Sequence, residues 1–185
     1  MRCDLLLFTK LLLCVGLHQS YFANKDSAIM KYKLDFYTEY NQFYISDQES
    51  KGNTNSVDFW NPEAYAAKLA LAEGVLGIGI QCYGHVKGEL EVLETPTDMT
   101  EYSQYDHVVE AGIESNSGVL QIINCPYSTV ELSVKIKPGT YKVRIYSSNL
   151  SGVDIDESEG DDYYKIEIWP DNKMERKVLK RYIPQ

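Results

Sequence analysis

The side chains best suited to chemistry in this chain are a histidine set among carboxylates and one dense acidic run. His107 lies in Tyr105-Asp106-His107-Val108-Val109-Glu110, an arrangement that on paper supplies a general base and a carboxylate to orient it. The residues around it are strand-forming, and neighbours along a strand point to opposite faces. Asp106, Val108 and Glu110 therefore project together, and His107 projects with Val109. His107 reads as a hydrogen-bonded structural group on an inner face. His85, in Tyr83-Gly84-His85 between two strand-like runs, reads as a turn residue. A hydrolase would need Asp106, Glu110 and Glu91 to converge in one pocket.

Nucleophile and phosphate motifs are missing from the sequence. It contains no Gly-x-Ser-x-Gly elbow, and Gly77-Ile78-Gly79 lacks both the third glycine and the helix that a phosphate-cradling loop requires. No Cys or His pairs at zinc-like spacing occur. The expectation is a protein with no catalytic residues, no resident metal and no cofactor.

The run Asp154-Ile155-Asp156-Glu157-Ser158-Glu159-Gly160-Asp161-Asp162 is the strongest charge outlier. Asp154, Asp156 and Asp161 resemble a calcium loop in part, but Glu159 stands at the required glycine position and Lys165 where the closing acid belongs. Three readings stay open: a solvated loop, a calcium site, or a partner-facing patch that steers a cationic protein. On the third, the partner-binding residues are Asp154, Asp156, Glu157, Glu159, Asp161 and Asp162. Tyr163 and Tyr164 join them as aromatic anchors, with Trp169 divided between that role and the core.

The elements that must position these groups are short strands. Alternating or β-rich apolar runs occur at Lys31–Thr38, Gln42–Ser46, Val75–Cys82, Val86–Glu94, Asp106–Ile113, Gly118–Ile123, Thr129–Ile136, Thr140–Ser147 and Tyr163–Trp169. Lys137-Pro138-Gly139-Thr140 predicts a type II turn, and Asn116-Ser117-Gly118 a tight hairpin. After the Pro-Gly turn, Tyr141, Val143 and Ile145 are expected to face the core and Lys142, Arg144 and Tyr146 the solvent. One helix is predicted over Ala64–Glu73, capped by Asn61, opened by Pro62 and closed by Gly74, with Tyr65, Ala67 and Leu71 packed on a sheet. The fold class is all-β: a two-sheet antiparallel β-sandwich of eight or nine strands with one short helix inserted between strands.

At 185 residues the chain is about one domain long. Residues 30–170 form the sandwich, 171–185 a charged tail outside the strand pattern, and 1–29 an extension of different character. Leu5–Leu17 is signal-like, but Asp4 precedes it and Lys10 interrupts it. A translation start at Met30, giving a cytoplasmic protein, is preferred over export. Cys82 and Cys125 are either buried thiols or one bridge. Asp and Glu outnumber Lys and Arg by 27 to 18, a formal charge of −9. The extension holds three bases and two acids, so the acidity belongs to the domain. Such a field repels nucleic acid and anionic membrane surfaces and attracts a basic protein.

In order along the chain, Tyr40-Asn41-Gln42-Phe43-Tyr44-Ile45-Ser46-Asp47, Gly74-Val75-Leu76-Gly77-Ile78-Gly79, Tyr105–Glu110, Pro138–Tyr146 and Gly160–Pro170 resemble the bacterial competence protein J family. The likeness runs over about Leu34–Pro170. It implies a compact β-sandwich that inhibits a DNA-entry nuclease, with relatives among immunity proteins of toxin systems. It supplies no catalytic residues. The function expected is that of a non-enzymatic, immunity-type inhibitor of a toxin or nuclease. The alternative is a calcium- or carbohydrate-binding sandwich module.

Overall fold

The computed structural model describes residues 28–184. The readings made for residues 1–29, including the signal-like segment, lie outside the described residues, apart from the two residues before Met30 that open the first strand.

Eleven strands and one helix follow the order β1 (Ala28–Tyr37), β2 (Gln42–Asp47), α1 (Pro62–Ala67), β3 (Leu69–Ala72), β4 (Val75–Gly79), β5 (His85–Leu93), β6 (His107–Ser115), β7 (Val119–Asn124), β8 (Val130–Lys135), β9 (Gly139–Ser148), β10 (Tyr163–Pro170) and β11 (Lys177–Lys180). They form a six-stranded sheet, β1-β5-β10-β9-β6-β11, and a five-stranded sheet, β3-β4-β2-β7-β8. The all-β, two-sheet architecture is the one the strand spacing predicts. One pair departs from the antiparallel pattern, since β10 runs parallel to β5.

A single apolar core fills the space between the sheets. Leu34, Val86, Leu90, Val109, Val143, Ile145 and Ile166 from the larger sheet meet Phe43, Ile45, Leu76, Ile78 and Ile122 from the smaller one. Phe36 and Phe43 join the sheets edge to face, with ring centroids 5.6 Å apart.

Local preference is overridden at several places. The helix begins as its cap signals predict: Asn61 Oδ1 accepts the Ala64 N–H at 2.9 Å and Pro62 follows it. It then stops after six residues, because Lys68 turns left-handed (φ 53°) and Leu69–Ala72 pairs with β4. Gly74 (φ 66°) makes the β3–β4 turn instead of ending the helix. Ala67 is buried as expected, but Tyr65 is 66% exposed and Leu71 lies at the surface. Burial of Leu69 in the core outweighs the modest helix preference of the Ala-Leu run.

The two predicted turns are corners. Asn116-Ser117-Gly118 carries the chain from β6 in one sheet to β7 in the other, and Pro138-Gly139 returns it from β8 to β9. Buried Asp47 fixes the first corner, accepting the hydroxyls of Ser115 and Ser117 at 2.6 Å each.

The outward face of β9 is covered as well. Lys142 and Tyr146 are buried, the latter beneath Tyr105 at 4.7 Å between rings. The charged tail, expected to lie outside the strands, supplies β11, which pairs with β6. Arg176 and Arg181 from the tail donate to the carbonyls of Leu69 and Ala66.

Candidate functional site

The acidic run links β9 to β10 and folds over one end of the sandwich. Asp154 starts a side-chain turn, its Oδ1 accepting the Asp156 N–H at 3.0 Å. The loop docks by its backbone: Tyr83 N–H donates to Glu157 O at 2.7 Å and His85 N–H to Ser158 O at 2.8 Å. Asn41 Nδ2 donates to Ile155 O at 2.9 Å and also to Gln81 O at 3.1 Å. Lys87 Nζ caps the Gly160 carbonyl at 2.9 Å.

His85, read from sequence as a turn residue, opens β5 and latches this loop. Its Nδ1 lies 2.8 Å from Glu159 Oε2 and its Nε2 2.9 Å from Asp35 Oδ1. Both contacts are complete only when both ring nitrogens carry protons, that is, in the imidazolium. Partial burial opposes that charge, but hydrogen bonds to Glu159 and then Asp35 outweigh it and raise the His85 pKa. Tyr37 stacks on the imidazole at 4.4 Å and donates its hydroxyl to Glu159. The Tyr37 bond, followed by that of His85, lowers the Glu159 pKa to about 2; Lys33, followed by His85, lowers Asp35 to about 2.

The eight predicted partner-binding residues fall into three groups. Asp162 and Tyr164 are fully buried, which corrects their reading as surface contacts. Asp162 Oδ2 accepts the N–H groups of Gln81 and Cys82 at 3.1 Å each and the Tyr164 hydroxyl at 2.6 Å. Alternation along β10 sends Tyr164 into the core and Tyr163 outward, where it is 40% exposed. Glu159 is tied to Tyr37, His85 and Lys87.

Asp154, Asp156, Glu157 and Asp161 are exposed, and among the described residues none of them has a cationic partner within salt-bridge distance. Asp154, Glu157, Glu159 and Asp161 line one hollow of about 810 Å³, whose single cation, Lys87, is already engaged by the loop. Asp156 stands outside it.

The hydrolytic alternative loses its geometry. Glu110 pairs with Arg144 at 2.9 Å, Glu91 with Lys31 at 2.9 Å and Lys165 at 3.1 Å, and Asp106 accepts the Leu150 N–H at 2.8 Å. Glu110 and Glu91 sit in one row but three strands apart, roughly 14 Å at ordinary strand spacing. His107 is buried, donating from Nε2 to Ala67 O at 2.9 Å and accepting the Tyr182 N–H at Nδ1. Burial outweighs the Ala67 bond and lowers its pKa, so it is a neutral structural group. Among the described residues, no three His, Cys, Asp or Glu side chains converge as a metal ligand set. Cys82 and Cys125 are free and buried, and burial, then nearby Asp162, pushes the Cys82 thiol up to about 11.

Behind the loop lies a feature that strand patterning did not reveal, a groove of about 630 Å³ walled by Tyr40, Trp60, Tyr65, Tyr83 and Ile155. The only sequence signal for it was the high tyrosine count, 15 in all.

No family model matches the chain, and no curated protein matches its sequence. Two solved structures share its fold. One is ComJ, inhibitor of the DNA degrading activity of NucA, from Bacillus subtilis: TM-score 0.56, 18% identity, covering 77% of this chain and 99% of that one. The other is the protein of crocagin biosynthetic gene J: TM-score 0.51, 15% identity, covering 77% and 98%.

Proposed function

We propose that this protein is a non-enzymatic inhibitor of the immunity type, which occupies the basic cleft of a nuclease or toxin with its acidic loop. The observation that carries the reading is the hollow itself, where carboxylates of one loop surround a concave space without a free cation. A nuclease that grips a phosphate backbone presents basic groups, and fixed carboxylates compete for them. The shared fold with ComJ, an inhibitor of NucA, supports the same class of partner. Glu159 acts by positioning, because its contacts hold the loop in place while Asp154, Glu157 and Asp161 face outward. No cofactor, metal or direct nucleic-acid contact is required.

The test is association kinetics with a basic nuclease of the NucA kind. Asp154→Asn, Glu157→Gln and Asp161→Asn together, with Glu159 left intact, should slow association about tenfold or more at low salt while preserving the fold. Raising ionic strength from about 0.01 M to 0.15 M shortens the screening length from about 30 Å to 8 Å. Wild-type association should slow far more over that range than association of the triple variant. Equal rates and equal salt slopes would remove the acidic loop from the interface.

A further inference from the structure

We propose that the aromatic groove behind the acidic loop is an anchor pocket, taking a large apolar side chain of a basic protein segment whose Lys or Arg enters the hollow. This rests on the inhibitor reading and extends it to a second, apolar contact. The loop forms a shared wall: Asp154 lines the hollow and the next residue, Ile155, lines the groove. One incoming segment can therefore meet both within a few residues.

The groove presents apolar surface where a soluble domain ordinarily hides it. Tyr40 is 57% exposed, Tyr65 66% and Ile155 56%. Exposed aromatic surface is enriched at protein interfaces, where Tyr and Trp are over-represented among the few residues that carry most of the binding energy.

The aromatic walls also pack on one another. Tyr40 pairs edge to face with Tyr83 at 5.9 Å, and Trp60 packs on Tyr65 at 5.3 Å. Tyr40 and Asn41 both have left-handed backbones, φ 61° and 55°, in the turn from Glu39 to Gln42 that closes the connection between β1 and β2. Glycine is the inexpensive residue at such positions, and a bulky side chain there is strained by roughly 1–3 kcal/mol. That backbone geometry holds the exposed Tyr40 ring in the groove wall. Asn41 holds the same turn to both the Gln81 and Ile155 carbonyls, so the pocket exists before a ligand arrives.

The polar groups decide between a protein segment and a sugar. A sugar site needs free amides and hydroxyls converging on the ligand. Here both Asn41 Nδ2 bonds are used, the Gln81 side chain accepts from Lys68 Nζ at 3.0 Å, and Gln42 Nε2 is turned to Cys125 Sγ. What is left is mainly aromatic and aliphatic surface, with the buried Trp60 Nε1–H unpartnered and Lys68, which gives one hydrogen bond to Gln81, able to donate a second to a peptide carbonyl. The net charge of −9 and the adjoining hollow favour a cationic segment.

Backbone resonance shifts and affinities of the full chain provide the test, read by NMR titration with three synthetic decapeptides and one oligosaccharide. The first peptide has a Lys-Arg-Trp-Lys centre, the second serine in place of tryptophan, and the third glutamate in place of every base; maltohexaose is the sugar probe. The tryptophan peptide should bind about tenfold more tightly than the serine peptide and shift both groove and hollow. Tyr65→Ser with Ile155→Ser, both at exposed positions, should abolish that tenfold advantage and leave serine-peptide binding unchanged. Equal affinity of the two basic peptides, with salt-sensitive binding at the hollow intact, would overturn the anchor pocket and spare the inhibitor reading. Equal binding of the acidic peptide would overturn both. Groove shifts with maltohexaose but with no peptide would make the groove a sugar site and end the proposal.

Discussion

Replacing Asp162 by alanine removes the acceptor at the point where the acidic loop enters the core. Three donors converge on Asp162 Oδ2: Gln81 N–H, Cys82 N–H and the Tyr164 hydroxyl. Gln81 N–H keeps a second acceptor, the Tyr164 oxygen at 2.7 Å, but Cys82 N–H and the Tyr164 O–H lose theirs. Each orphaned buried group costs about 1–3 kcal/mol, so the pair predicts a loss of about 3–4 kcal/mol. For a domain of this size that lowers the melting temperature by roughly 10 °C. Asp161→Ala, one position away but exposed, should change stability by no more than about 0.5 kcal/mol. Asp162→Asn, which keeps one oxygen at the site, should fall between them. Urea unfolding followed by intrinsic fluorescence measures all three. A loss below about 1 kcal/mol for Asp162→Ala, or equal losses at 161 and 162, would refute the assignment of Asp162 to the structural base of the loop.

Two further outcomes follow from the latch and the tail. The raised His85 pKa means that its contribution is complete below about 6.5 and is lost as pH rises through the folded value; the lowered Asp35 and Glu159 contribute above their ordinary 3.8 and 4.5 and fail as pH falls toward 2. Hydrogen exchange at the Tyr83 and His85 amides should therefore be slowest between about pH 4.5 and 6.5 relative to the intrinsic rate, and His85→Gln should flatten its alkaline limb; an NMR midpoint at or below 6.5 for His85 contradicts this. Removing residues 177–185 bares the β6 edge and takes away the Tyr182 N–H from His107, so thermal unfolding should show destabilisation of at least about 2 kcal/mol. A truncated chain as stable as the full one would make β11 an accessory strand.

The nine strand runs were readable because burial on one or both faces leaves a period-two or β-rich apolar pattern, as in Phe43 and Ile45 or Val143 and Ile145. Asn61-Pro62 marked the helix start, since capping needs only residues adjacent in sequence. The helix end was misplaced because Ala-Leu-Ala-Leu suits helix or strand until β4 lies beside it. β11 escaped notice because charged Lys177-Val178-Leu179-Lys180 carries too short a pattern, and only the free edge of β6 makes it a strand.

The sequence alone determined, by its counts, that the domain is acidic and, by residue order, that it is strand-rich and without a nucleophile motif, and the run 154–162 marked where its charge is densest. Tertiary structure decided what each carboxylate in that run does. Asp162 became a buried acceptor, Glu159 half of a histidine latch, and Asp154, Glu157 and Asp161 the open wall of a hollow. Tyr37 and His85 were joined to that loop across 122 and 74 positions of sequence, and Asp35 to His85 across 50. Charge is a property of a residue type and can be counted along the chain, whereas solvation and partnership depend on which strand ends the two sheets bring to the same edge.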